Sequence, residues 1–336
     1  MQSSPKELAR APGLAEAVAL AQFALAGQIP VRHQAHDRAR TGQRGRNRSE
    51  GTTMTDERIH RAVSADGTKI VGRVQGQGPP LVLVHGGIGD GEVAWGAMVP
   101  HLTDRFTCYL PSTRGRGLSA DHPDHSPPRL QEDINAFVDS IAEPVCLVGW
   151  SGSGPWVLGA AAQTDSVAAA AAWEPALGPT ALGPAGQQDI GRFFAAMEQV
   201  GLAAADGRLV DAVRAFAPGI CTDEEIAALE GMDFYERWAG GVPALLRLLQ
   251  QLMAYEGPTP YDPEALAQIN VPVLLLRGQE TLLGAQFGEA ARHIARYVAD
   301  PQVHELQGVG HFAPVLAPEQ IAEELVSFFE KALQPT

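Results

Sequence analysis

The chain has 336 residues, 45% of them hydrophobic and 19% charged, and 39 acidic against 25 basic residues give a net charge of −14. That length buries a sizeable core, no apolar run reaches the ~20 residues of a membrane helix, and the negative charge repels a polyphosphate backbone. Neither a membrane span nor a nucleic-acid partner is therefore expected, and three widely spaced cysteines, Cys108, Cys146 and Cys221, fit a reducing, cytoplasmic compartment better than a disulfide framework.

Charge divides the chain. Residues 1–53 hold eight Lys and Arg against four acids, whereas residues 54–336 hold 17 against 35. From Arg32 to Thr53 there are almost no large apolar side chains to offset the entropy of ordering, so 1–53 reads as a disordered extension ahead of a domain at 54–336. Gly13 to Ala26 is apolar enough to raise a secretion signal, but Glu16 and Gln22 interrupt it, and Met54 is the preferred start.

After Met54 two alternating runs flank Asp66-Gly67, which predicts a hairpin from about Arg58 to Val74. Short apolar runs at Leu81–Val84, Pro144–Val148, Val167–Trp173 and Val271–Leu276 predict buried parallel strands, with a last strand at Gln302–Leu306. Helices are expected at Gln131–Ile141, Gly154–Gln163, Phe287–Tyr297 and Pro318–Leu333. The alternation gives an α/β protein with a mainly parallel sheet. It breaks between about 177 and 269, where the patterns at Asp189–Val200, Arg208–Phe216, Thr222–Glu230 and Val242–Tyr255 are all helical; this stretch is expected to be a helical cap inserted between two strands.

The chemistry concentrates where strands end. Leu147-Val148-Gly149-Trp150-Ser151-Gly152-Ser153-Gly154 runs from a strand through small residues into a helix, the context of a nucleophile elbow at Ser151. Ser153 stands where G-x-S-x-G has its second glycine, and a hydroxymethyl is still small. His311, after the last strand in Gly308-Val309-Gly310-His311-Phe312, sits where a general base for Ser151 belongs, while His304 and His293 read as structural. The glycines of Val84-His85-Gly86-Gly87-Ile88-Gly89 free the backbone so that the amides of Gly87 and Gly152 form an oxyanion hole, with His85 structural. No Walker lysine follows these glycines and their spacing is not G-x-G-x-x-G, which argues against a nucleotide site.

On these landmarks residues 56–336 resemble the α/β-hydrolase superfamily, and Ser112-Thr113-Arg114-Gly115-Arg116-Gly117-Leu118-Ser119 is similar to its D-x-R-G-x-G-x-S loop, with Ser112 in place of the aspartate. The resemblance implies an eight-stranded sheet and a Ser-acid-His triad. Many relatives carry the acid three residues after the glycine that ends the strand following the cap, and Thr281 occupies that position here. Two carboxylates are left as candidates: Glu174, ending the strand beside the nucleophile strand as in a subgroup of the superfamily, is preferred, and Glu280 is the alternative.

Asp121-His122-Pro123-Asp124-His125 has metal-ligand residue types, but a five-residue polar loop gives poor tetrahedral convergence, so neither a metal nor a cofactor is expected. The expected function is a serine hydrolase acting through an acyl-enzyme on a carboxylic ester, lactone or thioester of a small to medium apolar molecule. The alternatives are a C–C hydrolase, perhydrolase or amidase on the same fold, and a non-catalytic ligand-binding member.

Overall fold

A computed structural model describes residues 58–334. The expectations for residues 1–53 lie outside that range. Eight strands form one sheet in the order β1-β2-β4-β3-β5-β6-β7-β8: β1 Arg58–Val63, β2 Lys69–Gly76, β3 Pro80–Val84, β4 Thr107–Ser112, β5 Val145–Trp150, β6 Val167–Trp173, β7 Val273–Gly278 and β8 Pro301–Leu306. The β1-β2 hairpin and the β2-β4 pair are antiparallel, and all other neighbours run parallel. The fold is that of an α/β hydrolase.

The central parallel strands β3, β5, β6 and β7 are largely apolar on both faces because helices cover both, whereas the edge strand β8 is mostly exposed. Leu81, Leu83, Cys146, Val148, Ala169, Ala171, Leu274 and Leu276 belong to one core; the alternating partners Val82, Val84, Leu147, Ala170, Ala172, Val273 and Leu275 belong to the other. Alanine is a poor intrinsic strand former, yet β6 is Val-Ala-Ala-Ala-Ala-Ala-Trp; its burial at the sheet centre overrides local preference. β4 was not among the strands expected, and Pro111 within it explains why its run reads poorly. β7 starts at Val273 rather than Val271, since Pro272 has no N–H for the ladder.

The helices are α1 Gly91–Trp95, α2 Pro127–Asp139, α3 Gly154–Gln163, α4 Pro184–Ala205, α5 Leu209–Phe216, α6 Asp223–Glu230, α7 Phe234–Trp238, α8 Val242–Met253, α9 Pro263–Leu266, α10 Gly284–Tyr297, α11 Ala313–Leu316 and α12 Pro318–Ala332. Helices α4 to α9 fill the chain between β6 and β7. Reciprocal capping docks them onto the sheet layer. Asp189 on α4 accepts from the Ala285 and Gln286 amides at the start of α10, and Glu289 on α10 accepts from the Gly183 and Gly186 amides at the start of α4. Among the described residues no helix is long and apolar enough to cross a membrane.

Candidate active site

Strand register brings the expected site residues to one edge. Trp150 pairs with Trp173 at the ends of β5 and β6, so Ser151 and Glu174 are each the first residue past a paired strand end. Both have left-handed backbones, with φ of 55° at Ser151 and 44° at Glu174. For side chains with a Cβ that conformation costs on the order of 1–3 kcal/mol each and persists only where surrounding contacts impose it.

At the elbow those contacts are visible. A Cβ on Gly149 would lie 2.8 Å from Val157 Cγ2, and one on Gly154 would lie 2.6 Å from Pro175 Cβ, so α3 crosses too closely for larger residues. Ser153 is more than a small substitute: its hydroxyl accepts from the Trp150 amide at 2.9 Å and donates to the Val84 carbonyl at 2.9 Å, tying the turn to β3. It is thereby occupied, whereas the Ser151 side chain has no hydrogen bond among the described residues.

His311 follows β8. Its Nδ1 lies 2.6 Å from Glu174 Oε2, both side chains are buried, and the ring stacks on Phe287 with centroids 4.9 Å apart. Glu174 is held by the Gly278 amide at 2.9 Å on Oε1 and by the Thr281 hydroxyl at 3.1 Å on Oε2. Thr281, which carries no charge for a histidine, thus donates to the carboxylate that faces one. Glu280 is exposed; its amide bonds the Val309 carbonyl, and its side chain has no hydrogen bond among the described residues. The geometry brings Glu174 to His311 and leaves Glu280 outside. No hydrogen bond joins Ser151 to His311 among the described residues; such contacts are often long before substrate arrives.

Gly87 and Gly152 face each other, a Cβ on Gly152 lying 3.7 Å from the Gly87 nitrogen. His85 organises this loop. Its Nε2 receives the Thr113 amide at 3.0 Å, which can only donate, so the ring proton resides on Nδ1 and is donated to the Gly86 carbonyl at 2.8 Å. That carbonyl shares a peptide with the Gly87 amide. Burial, reinforced by the Arg116 charge, pushes the His85 pKa down to about 3 and keeps the ring neutral. Arg116 itself donates to the Gly87 carbonyl at 2.7 Å. Sequence reasoning assigned neither contact; the only signal was the position of His85 directly after β3.

In the Asp121–His125 loop the side chains have protein partners. Asp121 Oδ1 contacts His125 Nε2 at 3.1 Å, Asp121 Oδ2 accepts from Arg247 at 2.7 Å, and Asp124 accepts from Arg129 at 3.2 Å. No group of three or more His, Cys, Asp or Glu is disposed to hold a metal among the described residues.

The site is covered. Ser151 is 9% exposed and His311 3%. Trp238 of α7 packs on Trp150 and Phe312 with ring centroids 5.9 and 5.5 Å apart, and Leu245 of α8 lies 3.3 Å from where a Cβ on Gly87 would be.

A family model described as the alpha/beta hydrolase family matches residues 81–324. A pimeloyl-[acyl-carrier protein] methyl ester esterase of Stenotrophomonas maltophilia is 39% identical over 94 residues, 28% of this chain and 35% of that protein. A pyrrolizixenacetamide deacetylase of Xenorhabdus hominickii is 39% identical over 84 residues, 23% of this chain and 30% of that protein. The chain thus spans about a third of the length of these relatives. Among solved structures, an alpha/beta hydrolase from Sphaerobacter thermophilus superposes with a TM-score of 0.61 at 24% identity, over 80% of this chain and 100% of that one. A thermophilic esterase from Thermogutta terrifontis gives 0.65 at 19% identity, over 82% and 100%.

Proposed function

The chain belongs to the alpha/beta hydrolase family, and we propose that it is a serine hydrolase of a carboxylic ester, lactone or thioester of a small to medium apolar molecule. The observation that carries this reading is the buried Glu174–His311 pair at 2.6 Å, standing at the end of β6 beside the left-handed Ser151 at the end of β5. Ser151 Oγ attacks the acyl carbon as its proton passes to His311 Nε2. Glu174 orients the ring through Nδ1–H and stabilises the imidazolium. The tetrahedral oxyanion is received by the amides of Gly87 and Gly152, the former polarised by the His85 bond to the same peptide. Collapse expels the alcohol or thiol with the proton from His311. Water, deprotonated by the same imidazole, then attacks the acyl-enzyme, releases the acid and regenerates Ser151.

The helices between β6 and β7 act as a cap that shapes the acyl pocket, with Trp238 and Leu245 against the oxyanion loop. The buried free thiols Cys108, Cys146 and Cys221 support a cytoplasmic setting. The test is a fluorophosphonate probe followed by a panel of activated esters, lactones, thioesters and amides, with Ser151→Ala as control. Amides belong in the panel because one relative is named a deacetylase. Labelling of Ser151 with turnover abolished in Ser151→Ala is expected; an adduct elsewhere, or folded protein that is not labelled, overturns the reading.

A further inference from the structure

The triad as proposed leaves one buried carboxylate beside His311 unused. Glu225 is 6% exposed and belongs to α6, on the segment between β6 and β7 rather than on the sheet. Its Oε2 accepts the Thr222 amide at 3.0 Å, and Thr222 Oγ1 accepts the Glu225 amide at 3.2 Å, so the two close a capping box. A capping box needs only one carboxylate oxygen. The other, Oε1, accepts the Phe312 amide at 2.7 Å, 87 positions along the chain and one residue past the histidine. On the preceding side, a Cβ on Gly310 would lie 2.6 Å from both Cδ and Oε1 of Glu225. One carboxylate therefore bears on both neighbours of His311. The histidine's own carbonyl is held independently by Trp173 Nε1 at 2.9 Å.

We propose that Glu225 is a positioning residue for the reaction assigned above: it holds the peptide that follows His311, packs against Gly310 on the other side and places a second carboxylate near the imidazole. The inference rests on the hydrolase reading, since a base is positioned only if one is used. It ties catalysis to the docking of α6, because the anchor of the histidine loop comes from the inserted segment.

The ionisable groups that face Glu225 are His311 and Glu174 from the sheet edge and Cys221 just before α6. Burial holds the Glu225 carboxyl above the ordinary carboxylate range, while the Phe312 and Thr222 amides and the His311 charge act to lower it and Glu174 to raise it. Removing the Glu225 carboxylate, which interacts electrostatically with His311, is expected to move the acid limb of kcat/KM to lower pH.

The experiment uses the full chain, a fluorophosphonate probe and an activated ester found in the panel, with Glu225→Ala, Glu225→Gln and Thr222→Ala. Glu225→Ala leaves the buried Phe312 amide and the half-buried Thr222 amide without this acceptor and is expected to lower kcat at least tenfold with KM within twofold. Glu225→Gln keeps one acceptor but no charge; it recovers part of kcat and shows the acid limb displaced to lower pH. Thr222→Ala weakens the α6 cap and lowers Tm, but keeps the wild-type acid limb. If both Glu225 variants keep kcat within twofold and an unmoved acid limb, with only Tm reduced, Glu225 is a helix cap and the inference fails while the hydrolase reading stands. If wild-type protein is neither labelled at Ser151 nor active, the hydrolase reading fails and takes the inference with it.

Discussion

At the scale of single residues the two candidate acids differ by environment, and the difference is testable. Glu174 is fully buried and spends both oxygens on the Gly278 amide, Thr281 and His311, whereas Glu280 is exposed. Glu174→Gln is expected to lower kcat by a factor on the order of 10⁴ with little change in KM, because the lost interaction strengthens as the ring becomes charged. Glu280→Gln should stay within about tenfold of wild type. Thr281→Val removes one hydrogen bond to the carboxylate, worth about 1.5–3 kcal/mol for a charged acceptor, and should lower kcat by roughly ten- to hundredfold. Steady-state kinetics on the three variants checks the ranking, and the reverse order would assign the acid to Glu280.

Two buried histidines set a pH signature independent of catalysis. Burial pushes His85 down to about 3 and His125 to about 4, so both are neutral in the folded protein while the unfolded chain titrates at the ordinary value of 6.5. Their contribution is fully present above pH 6.5 and is lost as pH falls toward those depressed values. Each supplies a slope approaching about 1.4 kcal/mol per pH unit once its unfolded form is protonated. Asp133 and Glu225, raised by burial, act in the opposite sense, so the signature is read as a difference. Denaturant titrations between pH 7.5 and 5 are expected to show a shallower loss of stability in His125→Gln than in wild type. Equal slopes would mean that His125 protonates without unfolding.

At the scale of elements, the site depends on how strands end and how the inserted helices are tied down. The strand ends were largely legible: the apolar runs of β3, β5 and β6 and the glycines after β3 and β5 are local features. The pairing of Glu174 with His311 was preferred only on the resemblance and on no local feature, because the two are 137 positions apart and their meeting depends on β7 lying between β6 and β8. Thr222-Asp223-Glu224-Glu225 is a visible capping signature, but the reach of Glu225 to Phe312 belongs to tertiary packing. The Asp189 and Glu289 caps are equally hidden. Each carboxylate satisfies two helix-terminal amides on the other's helix, so Asp189→Ala or Glu289→Ala should cost about 0.5–2 kcal/mol by urea unfolding. Because both variants loosen the same α4–α10 junction, the double variant is expected to fall short of the sum. Additive losses would mean that the caps act independently and do not dock the segment as a unit.

At the scale of the whole molecule, the described structure is closed over the proposed site. Ser151 and His311 are almost fully buried, and the cover is aromatic: Trp238 packs on Trp150, Phe234 and Phe312, while a Cβ on Gly89 would lie 2.7 Å from the Trp238 ring. With Ser151 as the proposed nucleophile, that cover narrows the approach to it, and turnover is expected to involve α7 and α8 moving away from the Gly86-Gly87 loop. Truncating a buried Trp to Ala removes about 3–5 kcal/mol of packing. Here most of that packing joins the inserted helices to the elbow and the histidine loop, so the loss falls on the closed arrangement and raises the population of open molecules. Trp238→Ala should therefore speed Ser151 labelling by a bulky fluorophosphonate several-fold more than labelling by a small one. The pattern follows because a small probe needs less displacement, whereas a bulky one reacts only with the open form. Equal acceleration of both probes would point to a change at the serine itself, and no acceleration of either, in a variant with the wild-type circular dichroism spectrum, would mean that Trp238 does not gate entry.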